Sequence, residues 1–390
     1  MLAERSGLPV TTRVALIELA RALLEFRPAL GMGIAMPVPT GSLLGRIARW
    51  LGLPELAPPE QAGPLPLPLA AGWLRLSEQA LRAEPAVLEV DPGAAERVVQ
   101  AVLSDCAAGW LDPGPVTSFD GVRLRSYVHG RPQDPPVVIA SACGMPAELC
   151  EPWMRALSRT RRVITWETRG LFSGPATASD FDTMAAGLPA QAADLIAVLD
   201  HHRVSSAHVM GMCGGAVVAL AAAASRPDRI SSLSLWHGDY ELGSPVPKTA
   251  HQQNLKALML MAESSRSDAA AINSALSSVA LAGAEDRAST ISYPYLDDEL
   301  FFRYCVLTGA LMSADVASLL GSVSQPALVI TSDDDDTAHP AGSHAVAERL
   351  AGGHLHVEPH GDHLSVFAAS DRLCLVLEDF LDGIDNEVAA

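Results

Sequence analysis

The segment Gly211-Met212-Cys213-Gly214-Gly215 constrains this chain more than any other, because a short apolar strand runs into it and a small-residue helix leaves it directly. Glycines two places before and two places after a reactive side chain allow a sharp strand-to-helix turn that holds the side chain in a strained pose at the edge of a sheet. Cys213 is therefore the expected chemical centre.

With 390 residues, 49% of them hydrophobic, the chain has material for at least one full core and room for a second domain. Its longest apolar runs, such as Ala216 to Ala224, fall short of the ~18 to 20 residues of a membrane span. Met1 to Val10 carries charge and no apolar signal core. The expected compartment is the cytoplasm, with no membrane partner. Cys106, Cys143, Cys150, Cys213, Cys305 and Cys374 form no CxxC pair and no zinc-type spacing with histidine, so reduced thiols and no metal site are expected. The net charge of −18, with no basic tract longer than Arg161-Arg162, removes the electrostatic footing for nucleic acid.

Two regimes meet near residue 115. Before it, helical spacing of apolar residues over 11–27, 40–52, 69–83 and 92–109 predicts a helical bundle over residues 1–115, its helices separated by Pro28, Pro54 to Pro68 and Pro85 through Pro92. No reactive constellation stands in this part, which reads as a packing or docking element. From Thr117 strands alternate with helices: strands at 122–129, 136–141, 162–165, up to Met212, 230–237, 327–331 and 354–358. That α/β rhythm over 116–390 predicts a mostly parallel sheet covered by helices on both faces. Residues 240–325 interrupt it with helical patterns alone and are expected to form a lid over the strand ends. Some of its aromatic and thioether side chains, from Met259 to Met312, are candidates to line a cavity, and none is assigned.

Four motifs in order resemble the α/β-hydrolase fold: Pro136 to Pro146 as strand and oxyanion loop, Trp166 to Gly174 (WETRGLFSG) as the following turn, GMCGG as the nucleophile elbow, and Gly361-Asp362-His363-Leu364 as the histidine loop. A thiol with a pKa of ~8.5 needs a base, because it is only a few per cent ionised at neutral pH. His363 follows the strand 354–358, where the family places its base; His360 comes three positions early.

A third group, a carboxylate, would orient the imidazole. The usual family position lies in Asp333-Asp334-Asp335-Asp336, where spacing to Pro340 favours Asp336; the thioesterase-like position is Asp239, just past strand 230–237. Adjacent buried aspartates repel one another, so that run is expected to be a solvated loop with at most one inward carboxylate, and Asp239 is the expected acid. Oxyanion stabilisation is expected from the backbone N–H of Gly214 and, by resemblance, of Met145. Cys143 stands where the family often has histidine; it is expected to be a small packing residue, the alternative being an approach to Cys213 close enough for oxidation.

A thioester on Cys213 would keep a more electrophilic carbonyl than an ester on serine, which favours acyl transfer to a carbon nucleophile in the same chain. GMCGG with cysteine, Asp239, His363, a helical lid and a helical N-terminal segment together resemble the thioesterase-like Dieckmann cyclases that release tetramates and pyridones from polyketide-peptide assembly lines. The resemblance implies a β-ketoacyl-aminoacyl thioester substrate presented on a carrier, Cys213, Asp239 and His363 in the catalytic roles, and no cofactor. A cysteine thioesterase, esterase or lactonising enzyme shares the same residues with water or a hydroxyl as acceptor. A degenerate hydrolase used for binding is the non-enzymatic alternative.

Overall fold

The computed structural model describes residues 7–54, 56–172, 178–243, 245–279 and 288–389; Ser173 and Gly174 of the WETRGLFSG motif lie outside them. The chain divides into two compact units, Met1–Trp110 with Asn273–Asp297, and Leu111–Ile272 with Asp298–Ala390. The boundary falls at Trp110/Leu111 where 115/116 was expected, and a piece of the helical insertion groups with the N-terminal helices. Periodicity shows that a segment is helical, not which core its apolar face joins.

In the first unit, α1 (Val10–Leu24), α2 (Arg27–Gly31), α3 (Leu43–Trp50), α4 (Leu67–Leu88), α5 (Pro92–Leu103) and α6 (Ala107–Trp110) precede any strand. Leu16 and Leu23 of α1, Ile47 of α3, Trp73 of α4 and Val99 of α5 meet in one buried cluster, to which Leu296 adds from the insertion. Ser42 and Asp91 cap α3 and α5 by accepting from the backbone N–H groups of Gly45 and Ala94, which satisfies donors that helix starts leave open. α4 runs through Pro85 instead of ending before it. The bond Pro85 forfeits is to the carbonyl of Leu81, an exposed residue.

The second unit carries β1 (Val116–Thr117) and β2 (Arg123–Leu124) as a two-stranded ribbon, and a seven-stranded sheet in the order β3-β5-β4-β6-β7-β8-β9. Its strands are β3 (Ser126–His129), β4 (Pro136–Ala140), β5 (Arg162–Trp166), β6 (Ala207–Met212), β7 (Ile230–Trp236), β8 (Ala327–Ser332) and β9 (Gly353–Glu358). β3 is antiparallel to β5; every other pairing is parallel. β6 and β8 are buried at every position, as strands covered on both faces require. The covering helices include α7 (Glu151–Leu157), α8 (Ala178–Thr183), α9 (Leu188–His201) and α10 (Gly214–Ser225). After β7 come α11 (Ala250–Ala262), α12 (Arg266–Val279), α13 (Ala288–Ile291), α14 (Asp298–Met312) and α15 (Ala317–Leu320), of which α13 and the end of α12 belong to the first unit; α16 (Pro340–Arg349) and α17 (Asp371–Ala389) follow. No helix among the described residues is long and apolar enough to cross a membrane.

One buried ion network ties this unit together. Arg169, fully buried in the turn after β5, donates to Asp194 of α9 through Nε at 2.8 Å and Nη2 at 2.7 Å, and to Asp120 of the β1–β2 turn at 2.8 Å. Ser118 donates to the same Asp194 at 2.6 Å. Burial favours the neutral form of Asp194, and the guanidinium opposes that shift. Removing the cation leaves a buried carboxylate without its partner, so Arg169→Met should lower stability in urea unfolding by about 3–5 kcal/mol, and adding Asp194→Asn should restore part of the loss.

Candidate active site

β6 delivers the chain to Cys213, which adopts φ +53° and ψ −123°. A non-glycine residue in that region is strained by about 1–3 kcal/mol and persists only where its surroundings over-determine it. Here the surroundings are close backbone contacts. A Cβ on Gly215 would stand 1.9 Å from the carbonyl oxygen of Ala140, and one on Gly211 would stand 2.6 Å from Cα of Ala216. Only glycine fits either place, and the turn is pinned further by the Cys213 N–H donating to the Trp236 carbonyl at 2.9 Å. Gly214 begins α10, so its N–H is one of the helix-start donors without an intrahelical acceptor, beside the partly exposed thiol.

His363 lies in the loop after β9, 8% exposed, with Nδ1 2.9 Å from Oδ2 of Asp335. Burial alone would lower the imidazole, but Cys213 and the Asp335 carboxylate outweigh it and raise His363 to about 10. Nε2 makes no aligned hydrogen bond, although Cys213 acts on the ring both as a charge and as a hydrogen-bonding partner. Such bonds often tighten only when substrate is bound.

The carboxylate differs from the expected one. Asp335 is 3% exposed, and its Oδ1 accepts from the N–H groups of Thr337 and Ala338, both at 2.9 Å. Burial works against its charge, yet the imidazoles of His237 and His363 beside it hold it well below the usual carboxylate range. Asp336, its neighbour, is exposed, as are Asp333 and Asp334. The reasoning that at most one member of the run points inward holds, and that member is Asp335. Asp239 is turned elsewhere: its Oδ1 accepts from Nε2 of Gln252 at 2.5 Å. Gln252 is itself fixed by the capping box with Thr249 at the start of α11 and by accepting from the His339 N–H at 2.9 Å.

The first loop holds a second departure. The N–H of Met145 donates to the carbonyl of Ala142 at 3.2 Å, and that of Gly144 to Thr168 Oγ1 at 2.9 Å, so neither is free in this conformation. Cys143 is buried and burial pushes its thiol up to about 11, leaving it a poor nucleophile. Its Cβ stands 3.7 Å from where a Cβ on Gly214 would be. α14 covers the elbow and this loop: a Cβ on Gly144, which has φ +76°, would clash with the Tyr304 ring at 2.4 Å, and Leu311 approaches the Gly214 position at 3.3 Å. A cavity of about 20 Å³ beneath, bordered by Ser141, Thr168, Gln191 and Asp194, is water-sized.

The sequence reading missed His237, at φ +45° just past β7. It is 1% exposed, and its Nδ1 lies 2.9 Å from the same Oδ2 of Asp335. Two imidazole nitrogens and one carboxylate oxygen converge there, each nitrogen 2.9 Å from Oδ2 of Asp335. A second cluster joins Asp112, His201 and His202, with His201 Nε2 3.6 Å from Asp112 Oδ1 and His202 engaged with Ser126 at 3.0 Å.

No family model matches the chain. Solved structures align with it over most of their own length. An enol-lactonase from Burkholderia xenovorans superposes with a TM-score of 0.52 at 22% identity, over 69% of this chain and 100% of that one. An esterase from Thermogutta terrifontis does so with a TM-score of 0.54 at 19% identity, over 70% and 98%. The chain has the α/β-hydrolase fold. Among curated sequences, the protein named "Putative carbamate hydrolase RutD" from Variovorax paradoxus is 27% identical over 261 residues, 66% of this chain and 96% of that protein. These alignments leave about a third of the chain without a counterpart in either structure.

The paired geometry makes a direct prediction about thiol reactivity. At pH 7, mass-spectrometric mapping after brief iodoacetamide treatment should find Cys213 labelled first, ahead of the buried cysteines and of Cys374. His363→Gln should slow that labelling by about tenfold or more. Asp335→Asn should slow it as well, while Asp239→Asn and Asp336→Asn should leave it near the parent rate.

Proposed function

We propose that the protein is a cysteine-dependent acyl-transfer hydrolase acting on ester or thioester carbonyls. The observation that carries this reading is Cys213 at a positive-φ elbow beside an imidazole held by a buried carboxylate. The names borne by its likenesses, a carbamate hydrolase, an enol-lactonase and an esterase, support the same class of carbonyl chemistry.

In the proposed cycle the Cys213 thiolate attacks the substrate carbonyl and its electron pair moves onto oxygen. The N–H of Gly214 stabilises that oxyanion, joined by the Met145 N–H once its bond to Ala142 yields. His363, carrying its proton, protonates the departing alcohol or thiol as the carbonyl re-forms, leaving a thioester on Cys213. Water then attacks the thioester, giving its proton to His363 and releasing the acid. Asp335 keeps Nδ1 of His363 oriented and stabilises the imidazolium without taking its proton.

A second reading replaces water by a carbon nucleophile within the acyl chain, so that Cys213 releases a ring by Dieckmann condensation. Two observations favour it: a thioester retains the reactivity that carbon attack needs, and Tyr304 and Leu311 close α14 over the elbow, where water competes. A carrier-bound β-ketoacyl-aminoacyl group is the substrate of this reading.

Product analysis separates the two. Incubation with a β-ketoamide thioester analogue should give free acid under the hydrolase reading; a tetramate-type ring as the main product would replace it with the cyclase. Cys213→Ala should abolish either product. The pH profile is a further check. His363 must be protonated to release the leaving group, and its folded value is raised, so acyl transfer should decline on the alkaline side only as pH approaches about 10. Asp335→Asn removes part of what raises His363, so the alkaline limb of acylation should move to lower pH.

A further inference from the structure

His237 is a buried imidazole placed against the oxygen that orients His363. Its Nδ1 lies 2.9 Å from Asp335 Oδ2, its ring centroid 5.8 Å from that of His363 at a 53° tilt, and its own N–H is fixed to the Ile330 carbonyl of β8 at 2.9 Å. Neither ring nitrogen makes an aligned hydrogen bond. A buried polar ring without aligned partners is costly, and a positive φ on a histidine adds strain. Both costs are concentrated at one point of the site. The Nδ1 contact is the feature that accounts for them, because a small ring rotation would align its N–H with the carboxylate.

We propose that His237 is a positioning residue, holding the shared carboxylate oxygen of Asp335 so that His363 is presented to Cys213 in a fixed orientation. The inference rests on the Cys213–His363 reading of the site. An oxygen approached by two Nδ1 atoms has less freedom to swing than one held by His363 alone, while Oδ1 is already fixed by Thr337 and Ala338. The remaining titratable groups around the pair are Cys213 from the elbow after β6 and Asp239 and Tyr240 from the loop after β7. Asp239 is occupied by Gln252. Tyr240 keeps its proton, because burial, Cys213 and Asp239 all disfavour the phenolate. The groups after β8, Asp334 and Asp336, are exposed.

Substrate-free iodoacetamide labelling of Cys213 across pH tests this without assuming any acyl chemistry. His237→Gly removes the ring and suits the positive φ, and His237→Asn retains an N–H near the Nδ1 position in a residue that tolerates that φ. His237→Gly should move the labelling midpoint upward by about one pH unit and slow labelling at pH 7 by up to about tenfold; His237→Asn should stay near the parent. A folded His237→Gly protein with the parent midpoint overturns the proposal. So does His237→Asn matching His237→Gly, since the loss would then be one of packing. Proton spectra of the parent and Asp335→Asn, should the glycine variant not fold, give an independent reading: two strongly downfield histidine N–H resonances, both lost in Asp335→Asn, are expected, and a single one overturns the proposal. If parent and His363→Gln label identically, the Cys213–His363 reading itself fails, and the spectra still decide whether His237 engages Asp335.

Discussion

The close approach of α10 to the end of β4 governs the site. Gly215 lies so near the Ala140 and Ser141 carbonyls that a methyl group would overlap them. That contact forces the strand-to-helix turn to be tight, and a tight turn puts Cys213 into a backbone region that most residues avoid. It also sets the first loop beside the start of α10, which is why Cys143 lies next to Gly214. Thiol, helix-start donor and loop backbone are thus brought together by one steric fact. The strain at Cys213 is sustained because β6, β7 and α10 leave the residue no alternative path.

Charge is then organised around a single carboxylate. Asp335 lies almost wholly out of water, where an isolated anion is unstable, and two backbone N–H groups donate to one oxygen while two imidazole nitrogens stand beside the other. Those donors are arranged by the turn from Ser332, whose carbonyl accepts from the Asp335 N–H at 3.3 Å. The arrangement is directional. Asp334, one residue earlier, meets His360 at the surface instead, at 3.0 Å.

The features legible in the sequence are those that local chemistry decides. Glycine spacing around Cys213, the apolar runs of β6 and β8 and the placement of His363 after β9 each depend on a few neighbouring residues. The acid was not legible for a different reason. In a turn, adjacent side chains point in different directions, so the choice among four consecutive aspartates depends on a backbone geometry that composition does not encode. Asp239 was drawn away by Gln252, whose own position is set by the cap of α11 and by the His339 backbone. The grouping of Asn273–Asp297 with the N-terminal helices is a tertiary choice of the same kind. His237 carried no sequence signal beyond its place at the end of a strand, and only the fold brings β7 and β8 close enough for it to meet Asp335.

Cysteine as the nucleophile has a consequence for the proton in the proposed cycle. In that cycle His363, whose value Cys213 and Asp335 raise, begins the reaction as an acid. Once the acyl group is on sulfur, Cys213 is neutral and its share of the stabilisation of the imidazolium disappears. The leaving group has meanwhile taken the proton. His363 then faces the second half-reaction in its neutral form, with Asp335 still orienting it, at the stage when a base is needed to activate water or a carbon acid. The change of role follows from the proton given to the leaving group together with the lost charge on sulfur, and it lets one imidazole serve both halves of the proposed cycle.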